Sequence, residues 1–287
     1  MLTTLQTLKT ALGVSGSSED TALTQWLAEG SALARQIAKQ FIGGLISANT
    51  AANPTVVTSI GHGLQTGETI VIRGSNSTPT INGEQVVTVI DRDTFSVPVE
   101  VTVAGTAGSY AKVVTEYYSG DGTDKLILRQ RPVQAVGSVY VDPDGYFGEG
   151  EDAFPASTLL VAGSDYCLER DTPTAVAEKS KGGILLRIGG VWPDITRHAR
   201  GLLSGERSSG MGNIKVTSTV GWGTVPEPTQ MAVHMLVGMM RTTQGLGGQI
   251  RSLSLDYFSY TLATAEETKN DVLTVKRLLG IGKEWVW

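Results

Sequence analysis

The fold class expected from the sequence is α+β. A helical connector domain (an N-terminal helix pair plus later helices) should carry strands and hairpins, with a small all-β, barrel-like domain inserted into it. Three observations predict this. Residues 3–42 place apolar side chains at helical spacing, and residues 54–113 break into short β-branched runs parted by turn residues. Between Gly212 and Pro228 a strand of period two meets an apolar helix through a Gly-Trp-Gly corner.

Length and composition agree with two domains. The chain has 287 residues, of which 40% are hydrophobic and 18% charged, and its 35 glycines imply many turns. A formal net charge of −5 with no basic run argues against sequence-specific reading of nucleic acid. The single cysteine, Cys167, excludes an internal disulfide framework and fits a reducing compartment or indifference to redox. No basic segment followed by an apolar run opens the chain, and no stretch is long and apolar enough for a membrane span, so a soluble protein without a secretion signal is expected.

Leu5, Leu8 and Leu12 form one stripe of a first helix over 3–12, which Gly13 can end. Ser17 or Ser18, before Glu19-Asp20, is the expected N-cap of a second helix. That helix carries Leu23, Leu27, Ala34, Ile37 and Phe41 on one face and should run to about Ile42 before Gly43-Gly44. From Asn53 the texture turns to Val-Val-Thr, Thr-Ile-Val-Ile, Gln-Val-Val-Thr-Val-Ile, Thr-Phe-Ser-Val and Val-Thr-Val. Bounded by linker-like segments at 50–54 and 105–108, residues 50–113 read as an inserted β-module with its own core, about 60 residues long. Residues 1–49 and 114–287 then form the main domain.

Beyond the module, Glu116–Asp124 reads as strand then turn, Lys125–Arg129 as a strand, and Pro132–Val141 as two short strands. Asp142-Pro-Asp-Gly145 has a type I turn signature, and 145–163 lacks any period. Asp165–Glu169 and Gly183–Ile188 should pair, and Ser204–Gly212 should be mobile. In the organising stretch, Ile214, Val216, Ser218 and Val220 share one strand face. Gly221 and Gly223 flank Trp222 at the corner, and Pro226 sets φ where a helix can begin. Ala232, Met235, Leu236 and Met239 follow at helical spacing, so Val216, Val220, Gly221, Trp222, Gly223 and Pro226 are expected to form a strand-corner-helix packing unit. Leu253–Leu262 alternates as a strand would, and Glu266–Leu279 should be a last helix with Val272, Val275 and Leu279 inward.

No catalytic, cofactor-binding or metal site is expected. His62, His198 and His234 lack ligand spacing, and a structural role suits each better. Cys167 lies on an expected strand with no evident His partner and reads as a buried structural thiol. Neither a nucleophile elbow nor a phosphate loop occurs. The run 142–151 imitates a calcium loop, but its Gly comes too early and no Glu closes it. Asp121 and Asp124 belong to ordinary turn chemistry. The Gly-hinged tail is different: Trp285 and Trp287 either plug the protein's own core or anchor a partner.

In order, Leu5–Leu12 with its following helix, Tyr118–Leu128, Arg131–Val139, Asp165-Tyr166, Gly183–Leu186 and Trp192-Pro-Asp194 resemble tailed-bacteriophage head–tail connector (adaptor, or head-completion) proteins. Asn213–Thr217, Gly221-Trp222 and Val225-Pro226 before an apolar helix are the most recognisable piece. The resemblance covers about 1–48 and 114–280. It departs from the family at Gly-Trp-Gly, where an aromatic-Gly is usual, and at the inserted module. The module, through Thr58–Ile72, Ile81–Gly83 and Val87–Phe95, resembles a small β-barrel unit scattered through phage structural proteins. A similar pattern is named from ubiquitin-activating enzymes, without implying that chemistry here.

The resemblance implies a structural, non-enzymatic virion protein assembled in the host bacterial cytoplasm, without cofactors. It would form a homo-oligomeric ring of about twelve copies beneath the portal at the head–tail neck. Its partners would be further copies of itself, the portal protein, a downstream neck or tail protein, and double-stranded DNA passing non-specifically through the lumen. An acidic wall suits a channel through which phosphates slide. The portal-docking tail would be residues 280–287, through Ile281, Lys283, Glu284, Trp285, Val286 and Trp287. The alternative is a β-rich virion fibre or host-surface-binding accessory protein, which predicts aromatics clustered on the module's surface. Residues 54–113 offer only Phe95 and Tyr110.

Overall fold

Helix α1 (Leu5–Leu12) begins where the Thr4 hydroxyl accepts a hydrogen bond from Thr7 N and ends at Gly13, whose φ of 65° closes the cap onto the carbonyls of Lys9 and Thr10. In this computed structural model the described residues are 1–142, 154–171, 180–193, 212–245, 252–255, 258–261 and 273–279. The fold is mixed helix and antiparallel sheet, an α+β architecture.

Helix α2 (Asp20–Ala38) starts later and stops earlier than its apolar pattern suggested. Glu19, not a serine, is its cap residue, and it stays free to accept a paired hydrogen bond from Arg241 at 3.0 and 3.1 Å. Lys39 takes the left-handed conformation and ends the helix, which releases Phe41 to lie 6.1 Å, ring to ring, from Tyr110. Helix α3 (Glu227–Gly245) packs on α2, where Gly30 leaves room for Val233 and Val237. The buried row of α3 is Ala232, Val233, Leu236 and Val237; Met235 and Met239, expected inside, are only half-buried.

These helices belong to the first of two compact units: Met1–Glu68, Ile72–Tyr110 and Thr224–Trp287. The same unit holds most of the residues read as an insert. Strands β2 (Ala48–Asn49), β3 (Thr55–Thr58), β7 (Thr94–Val97) and β6 (Thr88–Val89) form one antiparallel sheet in that order. Strands β4 (Thr69–Arg73) and β5 (Gly83–Val86) are neighbours, and Val101–Val103 forms only a bridge from Val103 to Thr78 rather than a strand. Strand β1 (Gly44–Leu45) pairs with Ser109 and Tyr110 at the start of β8 (Ser109–Tyr118). One step further Ile46 N donates to Gly108 O at 2.8 Å, so the chain leaves and re-enters at one place.

One further expectation is corrected in this unit. Leu253–Leu262 is not one strand: β14 (Ser252–Leu255) and β15 (Phe258–Thr261) pair with each other. The last helix is described only as α4 (273–278), with Val275 buried.

The second unit comprises Thr69–Val71 and Ala111–Gly223. Its strand order is β10–β13–β8–β4, with β13 (Ile214–Val220) antiparallel to β10 (Val133–Val141) on one side and to β8 on the other. The stretch read as two short strands is one strand, β10, irregular in register near Ala135 and Gly137. A second sheet orders β11 (Tyr166–Leu168), β12 (Ile184–Arg187) and β9 (Lys125–Ile127), all antiparallel. Trp192 is the largest fully buried side chain among the described residues; the indole N–H donates to Leu185 O at 3.3 Å. A 3-10 turn at Ala156–Thr158 lies within the stretch read as loop.

Candidate functional site

The corner after β13 is built on alternation. Ile214, Val216, Ser218 and Val220 are all buried, while Lys215, Thr217 and Thr219 on the other face keep partial exposure. At Val220 the strand ends because Gly221 adopts a φ of 97°, which a side chain would resist. Gly221 is then fastened from both sides: its N–H donates to Pro132 O at 2.9 Å, and its carbonyl accepts from Gln134 Nε2 at 2.6 Å. The same Gln134 lies against Gly223, and its buried Oε1 has no hydrogen-bond partner. Trp222 projects between the two glycines, half-exposed, with the Lys181 ammonium 6.0 Å from its ring centre.

The boundary between the compact units falls between Gly223 and Thr224. Val216, Val220, Gly221, Trp222 and Gly223 therefore belong to the second unit, and Pro226 to the first. Within the first unit Pro226 O accepts from Gln230 N at 3.1 Å, the first helical bond of α3, and Gln230 Nε2 bonds Val225 O at 3.0 Å. Gln134, which secures the corner, lies 87 residues before Gly221 and had no local signal in the sequence.

No family model and no curated protein matches this chain.

The first unit holds a second cluster that sequence reasoning missed. The Arg35 guanidinium donates to Gly61 O at 2.5 Å and to Gly43 O at 3.1 Å. Its Nε is enclosed without a partner, although the residue as a whole is only half-buried. Burial lowers its pKa. Beside it the Met1 amine donates to Ile60 O, and burial, then Arg35, lower that amine to about 4. Gly61 N donates to Asp93 Oδ1 at 2.8 Å. Tyr110 is fully buried, its hydroxyl 3.3 Å from Ser59 Oγ, and burial raises its pKa. His62 is structural: Nδ1 accepts from Leu64 N, and Nε2 lies 2.9 Å from Asp91 O.

His234 bonds Thr3 Oγ1 at 3.0 Å, and His198 lies outside the described residues. Asp121 accepts from Thr123 N and Oγ1, closing the expected turn. Cys167, expected to be buried, is half-exposed beside a cavity. Among the described residues no three His, Cys, Asp or Glu side chains are grouped to hold a metal, and no helix is long and apolar enough to cross a membrane. The tail residues Ile281, Lys283, Glu284, Trp285, Val286 and Trp287 lie outside the described residues, as do the calcium-like run from 143 to 151 and Ser204–Met211.

Proposed function

We propose that the protein is a head–tail connector of a tailed bacteriophage, a ring subunit seated beneath the portal that extends the DNA channel and docks the next neck component. The observation that carries this reading is a convergence in the second unit. Tyr118 closes β8, Arg131–Val139 spans most of β10, and Asn213–Thr217 opens β13; these separate pieces of the resemblance are hydrogen-bonded neighbours in one antiparallel sheet. Motifs that are weak one by one thus share one structural unit, with Gly221-Trp222 at its end.

The fibre alternative needs aromatic side chains on the module's surface. Phe95 and Tyr110, its two aromatics, are fully buried, and nothing specific favours that reading. The test is the mass of the purified protein by light scattering, alone and mixed with its portal. A monomer that becomes multi-copy on the portal, or a ring that binds it, supports the proposal. A monomer indifferent to portal overturns it.

A further inference from the structure

The connection between β4 and β5 runs from Gly74 to Asn82, and one side chain closes it. Asn82 Oδ1 accepts from Ser75 N at 2.8 Å, and Asn82 Nδ2 lies 3.5 Å from Ser75 O, the outer limit of a hydrogen bond. Asn82 N donates to Thr80 Oγ1 at 3.2 Å. Asn82 and Gly83 are both exposed. Gly83 has a φ of 108°, and no atom of a described residue lies within 4 Å of where its Cβ would stand.

Among the chain's asparagines Asn82 alone precedes a glycine. That neighbour matters chemically. An asparagine side chain reaches the next residue's backbone nitrogen through a five-membered ring, and a side chain on that residue crowds the approach. At Gly83 the approach is open. The Ser75 N–H draws charge from Asn82 Cγ through Oδ1 and stands where an oxyanion would form, while the amide nitrogen is held only by the long contact. Asn76, on the same connection, supplies the contrast. It is exposed too, and its Oδ1 accepts from Thr106 N and Ala107 N, but the residue after it is the buried Ser77.

We propose that Asn82-Gly83 is a self-modification site, at which the folded chain converts Asn82 through a succinimide into aspartate and isoaspartate. The Gly83 nitrogen gives its proton to water and bonds to Asn82 Cγ; the Cγ–Nδ2 bond breaks, and Nδ2 takes up a proton and leaves as ammonia. Water then opens the ring at either carbonyl. Opening at Cγ gives aspartate, and opening at the backbone carbonyl gives isoaspartate, in which the main chain runs through the former side chain. Both products add a carboxylate two residues before the exposed Glu84 and remove the Nδ2 donor that faces Ser75 O. The inference rests on the β-region alone and stands independently of the neck reading.

The full-length protein is incubated folded at a mildly alkaline pH, beside the peptide acetyl-Thr-Ile-Asn-Gly-Glu-amide, and then digested with trypsin. Asn82 should gain about 1 Da, with the same fragment labelled by an isoaspartate methyltransferase, at no less than about a tenth of the peptide's rate. The unfolded fraction of a stable protein is too small to supply that rate. Asn76, on the same fragment, should keep its mass. Asn82→Gln, at an exposed position, would need a six-membered ring and should lose both the mass gain and the label. An unchanged Asn82 when the peptide is converted overturns the proposal. Equal gain at Asn76 and Asn82 also overturns it, because the glycine and the open approach then decide nothing. Undiminished label in Asn82→Gln overturns it in favour of an aspartate–glycine pair such as Asp121-Gly122.

Discussion

The guanidinium of Arg35 lies 2.5 Å from the carbonyl oxygen of Gly61, so helix α2 grips the turn that follows β3 in the β-region. That region is therefore held at a third point besides its two chain ends. Two charge-assisted bonds to buried carbonyls contribute more than neutral ones would. Arg35→Ala strands the carbonyls of Gly61 and Gly43 and should lower stability by about 2–4 kcal/mol in urea unfolding. A loss below about 0.5 kcal/mol, the size of an ordinary surface change, would mean that the grip is incidental.

Gly44 sits against the fully buried ring of Tyr110, and a Cβ at Gly44 would collide with that ring. The ring is packed in turn by Phe95 at 5.9 Å and Phe41 at 6.1 Å, so it has little room to retreat. Gly44→Ala should cost about 1–3 kcal/mol, read from the thermal midpoint. In a Tyr110→Ala background, itself destabilised by the lost ring, Gly44→Ala should cost less than in the parent, because the clash is then gone.

The point where the chain enters and leaves the β-region invites excision. Ile46 and Gly108 are hydrogen-bonded across an antiparallel pair, so residues 47–107 can be replaced by an Asn-Gly turn. The excised protein should keep its helical far-UV signal yet be less stable than the parent, because Arg35 and Tyr110 lose the partners that bury them. Adding Arg35→Leu and Tyr110→Phe should recover stability. On the connector reading the repaired form still assembles with portal; a folded form that cannot assemble would place the ring contact in the module.

Burial lowers the pKa of His234 from its ordinary value of 6.5. The folded protein then resists a proton that the unfolded chain accepts. The stability this represents is complete above the unfolded pKa and is lost as pH falls below it towards the folded value. The urea midpoint should drop between pH 7.5 and pH 5 more steeply in the native chain than in His234→Gln. The Met1 amine, held to about 4, has the same sign over a wider range, from pH 8 downwards, and is common to both proteins. Identical slopes would remove His234 from the account.

Truncation after Leu279 removes the residues assigned to portal docking. It should abolish portal binding in a co-sedimentation assay while leaving the unfolding midpoint within about 0.5 kcal/mol of the full chain. Undiminished binding would refute the assignment.

What the sequence made legible was whatever depends on near neighbours. The Leu5-Leu8-Leu12 stripe, the Gly13 stop and the inward row of Ile214–Val220 follow from period alone, and the structure has each. Helix ends were harder, since Lys39 ends α2 by adopting a positive φ that no composition rule assigns to lysine. Misreading β10 as two strands has a related cause: Gly137 looks like a break, yet β13 supplies cross-strand bonds that carry the strand through as a register irregularity. The Arg35 grip and the Gln134 latch could not be read at all. They join residues 26 and 87 positions apart, and their signal is a geometry rather than a pattern.

The packing of α2 against α3 sets an order of events during synthesis. The two helices meet at Gly30, Val233 and Val237, yet about 190 residues separate the end of one from the start of the other. At about 5–20 residues per second, the apolar face of α2 waits roughly 10–40 s on the ribosome for α3. The β-region between them emerges whole within that interval, and it offers the nascent helix a surface through Arg35 and the backbone of Gly61. The strands between the two helices would then act as the resident chaperone of the helix that precedes them.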